Sequence, residues 1–488
     1  MLPNWLCYKD KYAVLSEDQY RNSGRFARRK EVFMGNHHVK HRGSFTGGIG
    51  FVLAAAGSAV GLGNLWRFPY LAAQYGGGIF ILCYIVVALT FGFALMATEI
   101  AIGRKTGKSP LMAYGQINKK FGFVGFLAAL VPMIILPYYG IIGGWVIKYM
   151  VAFVIGGGST AASDGYFGGF IGETWSPLIF FGIFLGLTMA IILLGVDKGI
   201  EKISKFLMPV LLLLCIGISI YIMTIPGAME GLKYYLLPDF TKFSFTTVCA
   251  ATGQAFFSMS LAMGIMVAYG SYAKPETNLC KSVNQIEIFD TVIAILAGLM
   301  VVPAVYVFSG EEGTHSSGPG LMFQTLPKVF DQMPGGWIIG ALFFIMVFFA
   351  ALTSSISIME AVVSSIMDKF KVKRWIAVLI VTGIAIAAGI PISLGFGVWS
   401  NFTILGMDLL TFFDYLSNSL LMPIVALLTC ILIGWVVGPD YITTELTRNG
   451  ERLLRKPMYN VIIKYIAPVL LAVILVFYSL AQFGIVTM

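Results

Sequence analysis

The feature that most constrains this chain is a succession of apolar segments, each long enough to cross a lipid bilayer. Roughly 20 apolar residues in a helix cover the roughly 30 Å of hydrocarbon in a membrane. Only 12% of the 488 residues are charged, against about a quarter in soluble domains. The sequence therefore predicts an all-α, polytopic membrane protein with about 11 transmembrane helices. These spans are expected at residues 46–71, 77–102, 122–156, 175–195, 200–225, 246–273, 282–309, 336–368, 375–396, 403–437 and 460–486.

The charged residues between these segments predict the orientation of the chain. Cytoplasmic loops of membrane proteins are enriched in Lys and Arg. Here the basic residues concentrate in alternate loops, at 103–121, 196–205, 274–281, 369–374 and 438–459. The N-terminus is therefore expected in the cytoplasm and, after an odd number of spans, the C-terminus outside the cell membrane. The same loops account for the net charge of +9 without a nucleic-acid partner.

Residues 1–41 differ from the rest of the chain. They are polar and basic and show no hydrophobic periodicity, which predicts a disordered cytoplasmic tail. Met34 offers a second possible start, so the first 33 residues are either a dispensable tail or not expressed.

Two of the apolar segments are interrupted by small and polar residues. The first carries GSAVGLGNLWRFPY, residues 57–70, and the sixth carries FFSMSLAMGIMVAYGSY, residues 256–272. Small residues spaced four apart usually serve helix packing. Interruptions in corresponding places of two five-span halves instead indicate an inverted repeat with broken helices 1 and 6 and a binding site between the halves. The predicted repeats are residues 42–225 and 244–437, and the eleventh span at 459–486 lies outside them.

Two such breaks that face each other would expose backbone groups that can bind ions and a charged substrate. Irregular backbone at membrane depth is tolerated where it lines a cavity or is buried in protein. Amide groups at a helix start attract an anion, and free carbonyls and hydroxyls attract a hard cation. Asp290 lies within an apolar span and marks an ion or proton path. Ala350, Thr353 and Ser354 share one helix face, and their oxygens are suited to a sodium ion. These features predict a pocket for an amino-acid zwitterion and cations.

Three motifs resemble those of the neurotransmitter:sodium symporter family, in its bacterial amino-acid transporter branch. They are GSAVGLGNLWRFPYLAAQYGGGIF, AFFSMSLAMGIMVAYGSY and AALTSSIS, and the resemblance covers about residues 42–486. It implies sodium-coupled secondary active symport of a neutral, apolar L-amino acid into the cell by alternating access. It also implies two co-transported Na⁺ ions and no enzymatic activity.

The resemblance implies a role for individual residues. The substrate site would comprise Ser58, Ala59, Leu62, Gly63, Ile135, Tyr139, Phe257, Ser258, Ser260, Ala262, Met263, Ser354 and Ile358. The first sodium site would comprise Ala59, Asn64, Ser258 and Asp290, and the second Gly57, Val60, Ala350, Thr353 and Ser354. An outer gate would pair Arg67 with Asp414, and an inner gate would pair Arg42 with Asp368, aided by Phe45 and Tyr272. Gly199 to Pro209 matches a Gly-x9-Pro pattern that unwinds in the family to release sodium inward.

Departures from the family pattern sharpen these expectations. Asp290 replaces the asparagine of chloride-requiring eukaryotic members, which predicts chloride-independent transport. Gly61 replaces the aspartate of monoamine carriers, so the substrate is expected to bring its own carboxylate. The methyl group of Ala262 is expected to reduce the volume of the pocket, whereas the flexible side chain of Met263 lets its wall adapt. These effects oppose each other, so the size of the substrate side chain stays open. Two alternatives remain: an amino-acid sensor of the same fold without net transport, and a proton-coupled carrier with Asp290 as the titrating group. The oligomeric state stays unknown.

Overall fold

The part of the chain that the computed structural model describes, residues 43–314 and 318–482, is almost entirely helical. Within it, nine continuous helices are long and apolar enough to cross a membrane. They cover Gly78–Thr106, Lys119–Val154, Ser176–Leu193, Val196–Met223, Leu279–Gly310, Gly336–Phe370, Arg374–Leu394, Leu409–Val436 and Lys456–Phe477. These helices are the second to fifth and the seventh to eleventh predicted spans. The predicted tail at 1–41, with Met34, and the predicted gate residue Arg42 lie outside the described residues.

The first span consists of two helices, Gly48–Ala59 and Gly63–Gln74, which are bent by 53°. Val60 ends the first of them because its backbone is extended, with φ −74° and ψ 101°. The glycine-rich sequence makes this break tolerable, since Gly61 and Gly63 carry no side chain to clash with their neighbours. A Cβ at Gly63 would lie 2.5 Å from a ring carbon of Phe257, so the backbone here touches the sixth span.

The sixth span is also two helices, Phe245–Ser258 and Ile265–Gly270. Between them, Ser260, Ala262 and Gly264 all have left-handed backbone, with φ of 52°, 58° and 68°. This conformation costs an L-residue roughly 1–2 kcal/mol, so the surrounding structure must hold the two non-glycine residues in place. The sixth span is therefore broken at residues 259–264, as the sequence predicts, and the surrounding packing maintains the break.

The tenth span begins later than predicted. Its helix starts at Leu409 and not at residue 403, because Ile404 and Met407 pair across a tight turn. Leu405 and Gly406 adopt φ of 53° and 76° in that turn, which excludes a helix there. The Asp408 side chain then caps the helix by accepting a hydrogen bond of 3.0 Å from the Thr411 amide.

The eighth span is part of the wall against which the broken first span packs. The third span, Lys119–Val154, and the eighth, Gly336–Phe370, lie along each other. The 48–59 helix packs against the fifth, seventh and eighth spans. This packing is close at Gly57, where a Cβ would lie 3.3 Å from the Cβ of Thr353. The break in the first span is thereby set beside the hydroxyl groups of the eighth.

Candidate functional site

A small cavity lies where the broken first and sixth spans meet the third and eighth. Its volume is about 30 Å³. All the residues predicted for the substrate site line it except Ala262, and Gly61 lines it in addition. The lining residues are Ser58, Ala59, Gly61, Leu62, Gly63, Ile135, Tyr139, Phe257, Ser258, Ser260, Met263, Ser354 and Ile358. The tertiary structure thus gathers residues from four spans around one small cavity.

Beside this cavity, a buried carboxylate is surrounded by neutral hydrogen-bond donors. Asp290 is 0% exposed, and its Oδ1 accepts hydrogen bonds of 2.8 Å from both Asn64 Nδ2 and Ser258 Oγ. Its Oδ2 accepts from the Tyr84 hydroxyl at 2.8 Å. No Lys or Arg in the described part of the chain forms an ion pair with it. Three of the four residues predicted for the first sodium site are in direct contact here, and Ala59 lines the adjoining cavity.

A second set of oxygens lies on the other side of the cavity. The Ser354 hydroxyl lies 3.4, 3.1 and 3.3 Å from the carbonyl oxygens of Gly57, Ser58 and Val60. These carbonyls are free for such contacts because the helix of the first span ends there. The hydroxyl of the preceding residue, Thr353, donates to the Ala350 carbonyl oxygen over 3.1 Å. The residues predicted for the second sodium site are therefore neighbours, and every oxygen among them is uncharged.

The end of the cavity next to the first-span break offers hydrogen-bond donors. The Leu62 amide donates to the Tyr139 hydroxyl over 3.5 Å, so these two groups can serve one bound anion. The Gly61 amide donates to Asn64 Oδ1 over 3.1 Å. A Cβ at Gly61 would lie 2.6 Å from Ser354 Oγ, which leaves no room for the aspartate of monoamine carriers without a shift.

The opposite end of the cavity is largely apolar. Ile135, Met263 and Ile358 are 1%, 4% and 3% exposed. The two serines nearby satisfy each other, because Ser58 Oγ donates to Ser260 Oγ over 3.3 Å and Ser260 Oγ donates to the Ser58 carbonyl oxygen over 2.9 Å. This end suits an apolar ligand group.

The structure corrects the expectation for Ala262 and adds Glu99. Ala262 does not line the cavity, so its methyl group does not trim the pocket. Its amide instead donates a 2.6 Å hydrogen bond to Glu99 Oε1 of the second span, and this bond secures the left-handed backbone of the sixth-span break. Glu99 and Tyr84 were not predicted from the sequence. Glu99 could have been found as Asp290 was, because a carboxylate within an apolar span is costly unless it has a use. Tyr84 could not, because a tyrosine in an apolar span is ordinary.

The predicted outer gate residues lie above the cavity. Arg67 and Asp414 line the same small space next to Phe257. The Arg67 guanidinium lies 5.3 Å from the centre of the Phe257 ring, a cation–π contact. Asp414 also accepts a 2.6 Å hydrogen bond from Asn418 Nδ2. Phe257 therefore separates the cavity from a charged layer.

At the end predicted to be cytoplasmic, three of the four predicted gate residues, Phe45, Tyr272 and Asp368, lie within the described part of the chain. The Asp368 carboxylate accepts a 2.8 Å hydrogen bond from the Ser109 amide. Phe45 is 1% exposed and packs edge-on against Tyr269 and Tyr272. The Tyr272 hydroxyl donates over 2.6 Å to Glu360, a buried carboxylate that also pairs with Arg374. Aromatic packing and a buried ion pair thus close this end.

The predicted Gly199–Pro209 segment is wound into helix in this structure. Within it, buried Glu201 binds the start of the first span, accepting a 2.7 Å hydrogen bond from the Thr46 amide. Lys205 pairs with the same carboxylate at 2.6 Å. Gly50 faces this side chain, and a Cβ there would lie 2.0 Å from Glu201 Oε1. The first span is therefore tied to the segment whose unwinding the resemblance implies.

Two broken membrane spans that meet around a partly polar cavity are the arrangement found in many secondary transporters. A sequence profile of the sodium:neurotransmitter symporter family matches residues 42–156 and 171–487. The chain belongs to this family, and it is a multi-pass membrane transporter and not an enzyme.

Relatives and a solved structure agree with this assignment. An uncharacterized sodium-dependent transporter of Haemophilus influenzae is 33% identical over 453 residues, covering 90% of this chain and 98% of the relative. The human sodium- and chloride-dependent GABA transporter 2 is 27% identical, covering 81% and 73%. The crystal structure of MhsT in complex with L-phenylalanine has a TM-score of 0.81 and 33% identity, covering 89% of this chain and 99% of that one. The predicted fold class is confirmed.

Proposed function

We propose that this protein carries a neutral, apolar L-amino acid into the cell together with sodium. The observation that carries the proposal is the uncompensated carboxylate of Asp290. Its hydrogen-bond partners Asn64, Tyr84 and Ser258 are neutral, and it has no ion-pair partner among the described residues. An isolated buried charge is costly, so a bound cation stabilises it strongly. The Asn64 amide can turn its oxygen toward that cation, since its two ends differ only by a half-turn.

The second oxygen set favours sodium over a proton. The carbonyls of Gly57 and Val60 and the hydroxyl of Ser354 do not titrate at physiological pH, so a proton has no place to bind there. Uncharged oxygens of this kind are ligands for a hard cation. We therefore assign two sodium sites, with Ala59 completing the first and Ala350 and Thr353 completing the second.

The chemistry of the cavity between the two sets, with donors at one end and apolar side chains at the other, suits the zwitterion of an apolar amino acid. We assign the Leu62 and Gly63 amides and the Tyr139 hydroxyl to its carboxylate, which in turn would contribute a ligand to the first sodium. This shared ligand couples the two binding events. The apolar end at Ile135, Met263 and Ile358 takes the side chain. Because the cavity is only about 30 Å³ in this structure, a bound amino acid must displace the flexible Met263 or the Phe257 ring. The relative MhsT was crystallised with L-phenylalanine, an apolar amino acid.

Transport by this chain is proposed to be independent of chloride. The human relative is named as chloride-dependent. In this chain Asp290 already supplies a fixed negative charge between Tyr84 and Ser258. Replacing chloride by gluconate is therefore expected to leave sodium-driven uptake unchanged, and an abolished uptake would show that the charge has another role.

The gates and the driving force complete the proposed mechanism. Outward opening separates Arg67 from Asp414, and inward opening releases the aromatic contacts of Phe45 and unwinds the Gly199–Pro209 segment. Each sodium that enters down 100 mV and a tenfold gradient supplies about 3.7 kcal/mol. Two ions are enough to concentrate a neutral substrate strongly. We place the protein in the cell membrane with its N-terminus in the cytoplasm and its C-terminus outside.

The proposal is tested first by ligand binding. The twenty amino acids are screened for thermal stabilisation of the purified chain with sodium and with potassium. An apolar amino acid is expected to stabilise the protein only with sodium, because binding to the folded state raises its stability. Ser354→Ala is expected to weaken the sodium dependence. Ser355→Ala is the matched control, since Ser355 is also buried but bonds to Thr188 and not to the first span.

Flux measurements in proteoliposomes then separate the alternatives. Sodium-driven uptake at equal pH on both sides supports a sodium symporter, whereas uptake driven only by a pH gradient supports the proton-coupled carrier. Binding without exchange of internal for external substrate supports the sensor. Stabilisation by no amino acid under any ion condition would refute the assignment of the substrate class.

A further inference from the structure

A large groove on the cytoplasmic half of the molecule has no part in the site described above. It lies between the short helix Pro110–Ile117 and the third, eighth and ninth spans, and its volume is about 1020 Å³. Ligand pockets usually measure roughly 300–1,000 Å³. Its walls are mainly apolar, with Leu130 and Ile366 among the side chains that line it. A space of this size and character suits a long apolar group.

The groove carries positive charge at one end. Lys108, Lys119 and Lys369 all line it, and no Asp or Glu does so among the described residues. The three lysines come from the basic loops 103–121 and 369–374, on the side predicted to be cytoplasmic. The groove is therefore amphipathic along its length, with ammonium groups next to the loops and apolar walls toward the membrane interior.

The open side of the groove faces lipid. Phe126 is 57% exposed and Ile380 is 43% exposed, although both are large apolar side chains on membrane spans. Phe370, at the end of the eighth span, is 67% exposed. Exposed apolar side chains on membrane spans are stable in contact with lipid, so the groove is expected to open sideways into the inner leaflet of the bilayer.

We infer that this groove binds an anionic phospholipid of the cytoplasmic leaflet. Its acyl chain lies along the third and ninth spans, and its phosphate group contacts Lys108, Lys119 and Lys369. Basic residues next to a membrane surface attract anionic lipids, and basic pockets between membrane helices bind their head groups. The charge of the groove selects for phosphatidylglycerol-like lipids over zwitterionic ones.

A lipid in this position bridges elements that adjoin the transport site. Pro110, at the start of the short helix, packs against the sixth-span break, where a Cβ on Gly264 would lie 2.9 Å from its side chain. The preceding residue, Ser109, binds Asp368 of the eighth span. The lipid therefore joins the short helix to the eighth and ninth spans and stabilises their contact.

The test measures lipid retention by the purified full-length chain. The protein is incubated with an equimolar mixture of dioleoylphosphatidylglycerol and dioleoylphosphatidylcholine, and bound lipids are counted by native mass spectrometry. Replacing Lys108, Lys119 and Lys369 by Gln is expected to weaken phosphatidylglycerol retention by about fivefold for each lysine. The matched control replaces three exposed cytoplasmic-side lysines elsewhere, Lys198, Lys202 and Lys281.

A second pair of variants tests the apolar part of the groove without changing charge. Ala129→Trp fills the groove and is expected to lower retention of the lipid, whereas Ala387→Trp places the same side chain on the lipid-facing side of the ninth span, outside the groove. Equal losses in the two lysine triples, or an unaffected Ala129→Trp variant, would overturn the inference. An excess of inorganic phosphate that stabilises the protein as well as the lipid does would identify a soluble anion site instead.

Discussion

Replacing Asp290 by Asn tests the assignment of the first sodium site most directly. The substitution keeps the size and shape of the side chain but removes the negative charge that faces Asn64, Tyr84 and Ser258. Two unit charges 4 Å apart at an effective dielectric constant of 20 interact by about 4 kcal/mol. The amide oxygen of the variant is still available as an uncharged ligand. The half-saturating sodium concentration is therefore expected to rise by at least about tenfold and at most about a thousandfold.

The assay is amino-acid uptake into proteoliposomes at varied external sodium, with chloride or gluconate as the anion. A chloride ion bound near the Tyr84 and Ser258 hydroxyls can replace the lost charge, so Asp290→Asn is expected to gain a chloride requirement. Glu287→Gln is the matched control. It neutralises another 0% exposed carboxylate on the same helix, but Glu287 forms an ion pair with Arg455 and does not line the cavity. This control is expected to lose thermal stability and to keep its sodium affinity.

Two results would refute the reasoning. If Asp290→Asn has an unchanged half-saturating sodium concentration and is indifferent to chloride, the carboxylate is not a sodium ligand. If both variants lose sodium affinity equally, the loss comes from damage to the seventh span and not from the missing charge.

Three further predictions concern other parts of the site. Gly63→Ala brings a Cβ within 2.5 Å of the Phe257 ring, and this overpacking is expected to lower substrate affinity by roughly tenfold or more in thermal-shift titrations. Glu99→Ala leaves the buried Ala262 amide without its acceptor at a cost of about 1–3 kcal/mol, whereas Glu99→Gln restores one; equal melting temperatures for these two variants would exclude this role. Glu201→Ala releases the start of the first span, so a cysteine introduced in that span is expected to react faster with a membrane-impermeant reagent from the cytoplasmic side.

The limits of sequence-based prediction are clear at particular residues. Asp290 and the first-span glycines stand out because a carboxylate or a flexible backbone is unfavourable within a bilayer unless it is used. Tyr84 carries no such signal, since a tyrosine in an apolar segment is ordinary until its hydroxyl is seen to bind Asp290. Ala262 was placed in the pocket, but its left-handed backbone turns the residue toward Glu99. The start of the tenth span was misplaced because the turn at residues 404–407 is as apolar as the helix that follows.

The sequence by itself determined that this chain is a polytopic helical membrane protein with breaks in its first and sixth spans. It could do so because a bilayer imposes strict rules: long apolar runs must be helical, and glycine or polar interruptions within them must have a use. The tertiary structure decided which distant residues meet. Asn64, Ser258 and Asp290 come from three spans, and only their packing makes them one cluster with Tyr84. Contacts of this kind depend on how helices are rotated and set against one another, which hydrophobic patterning alone does not specify.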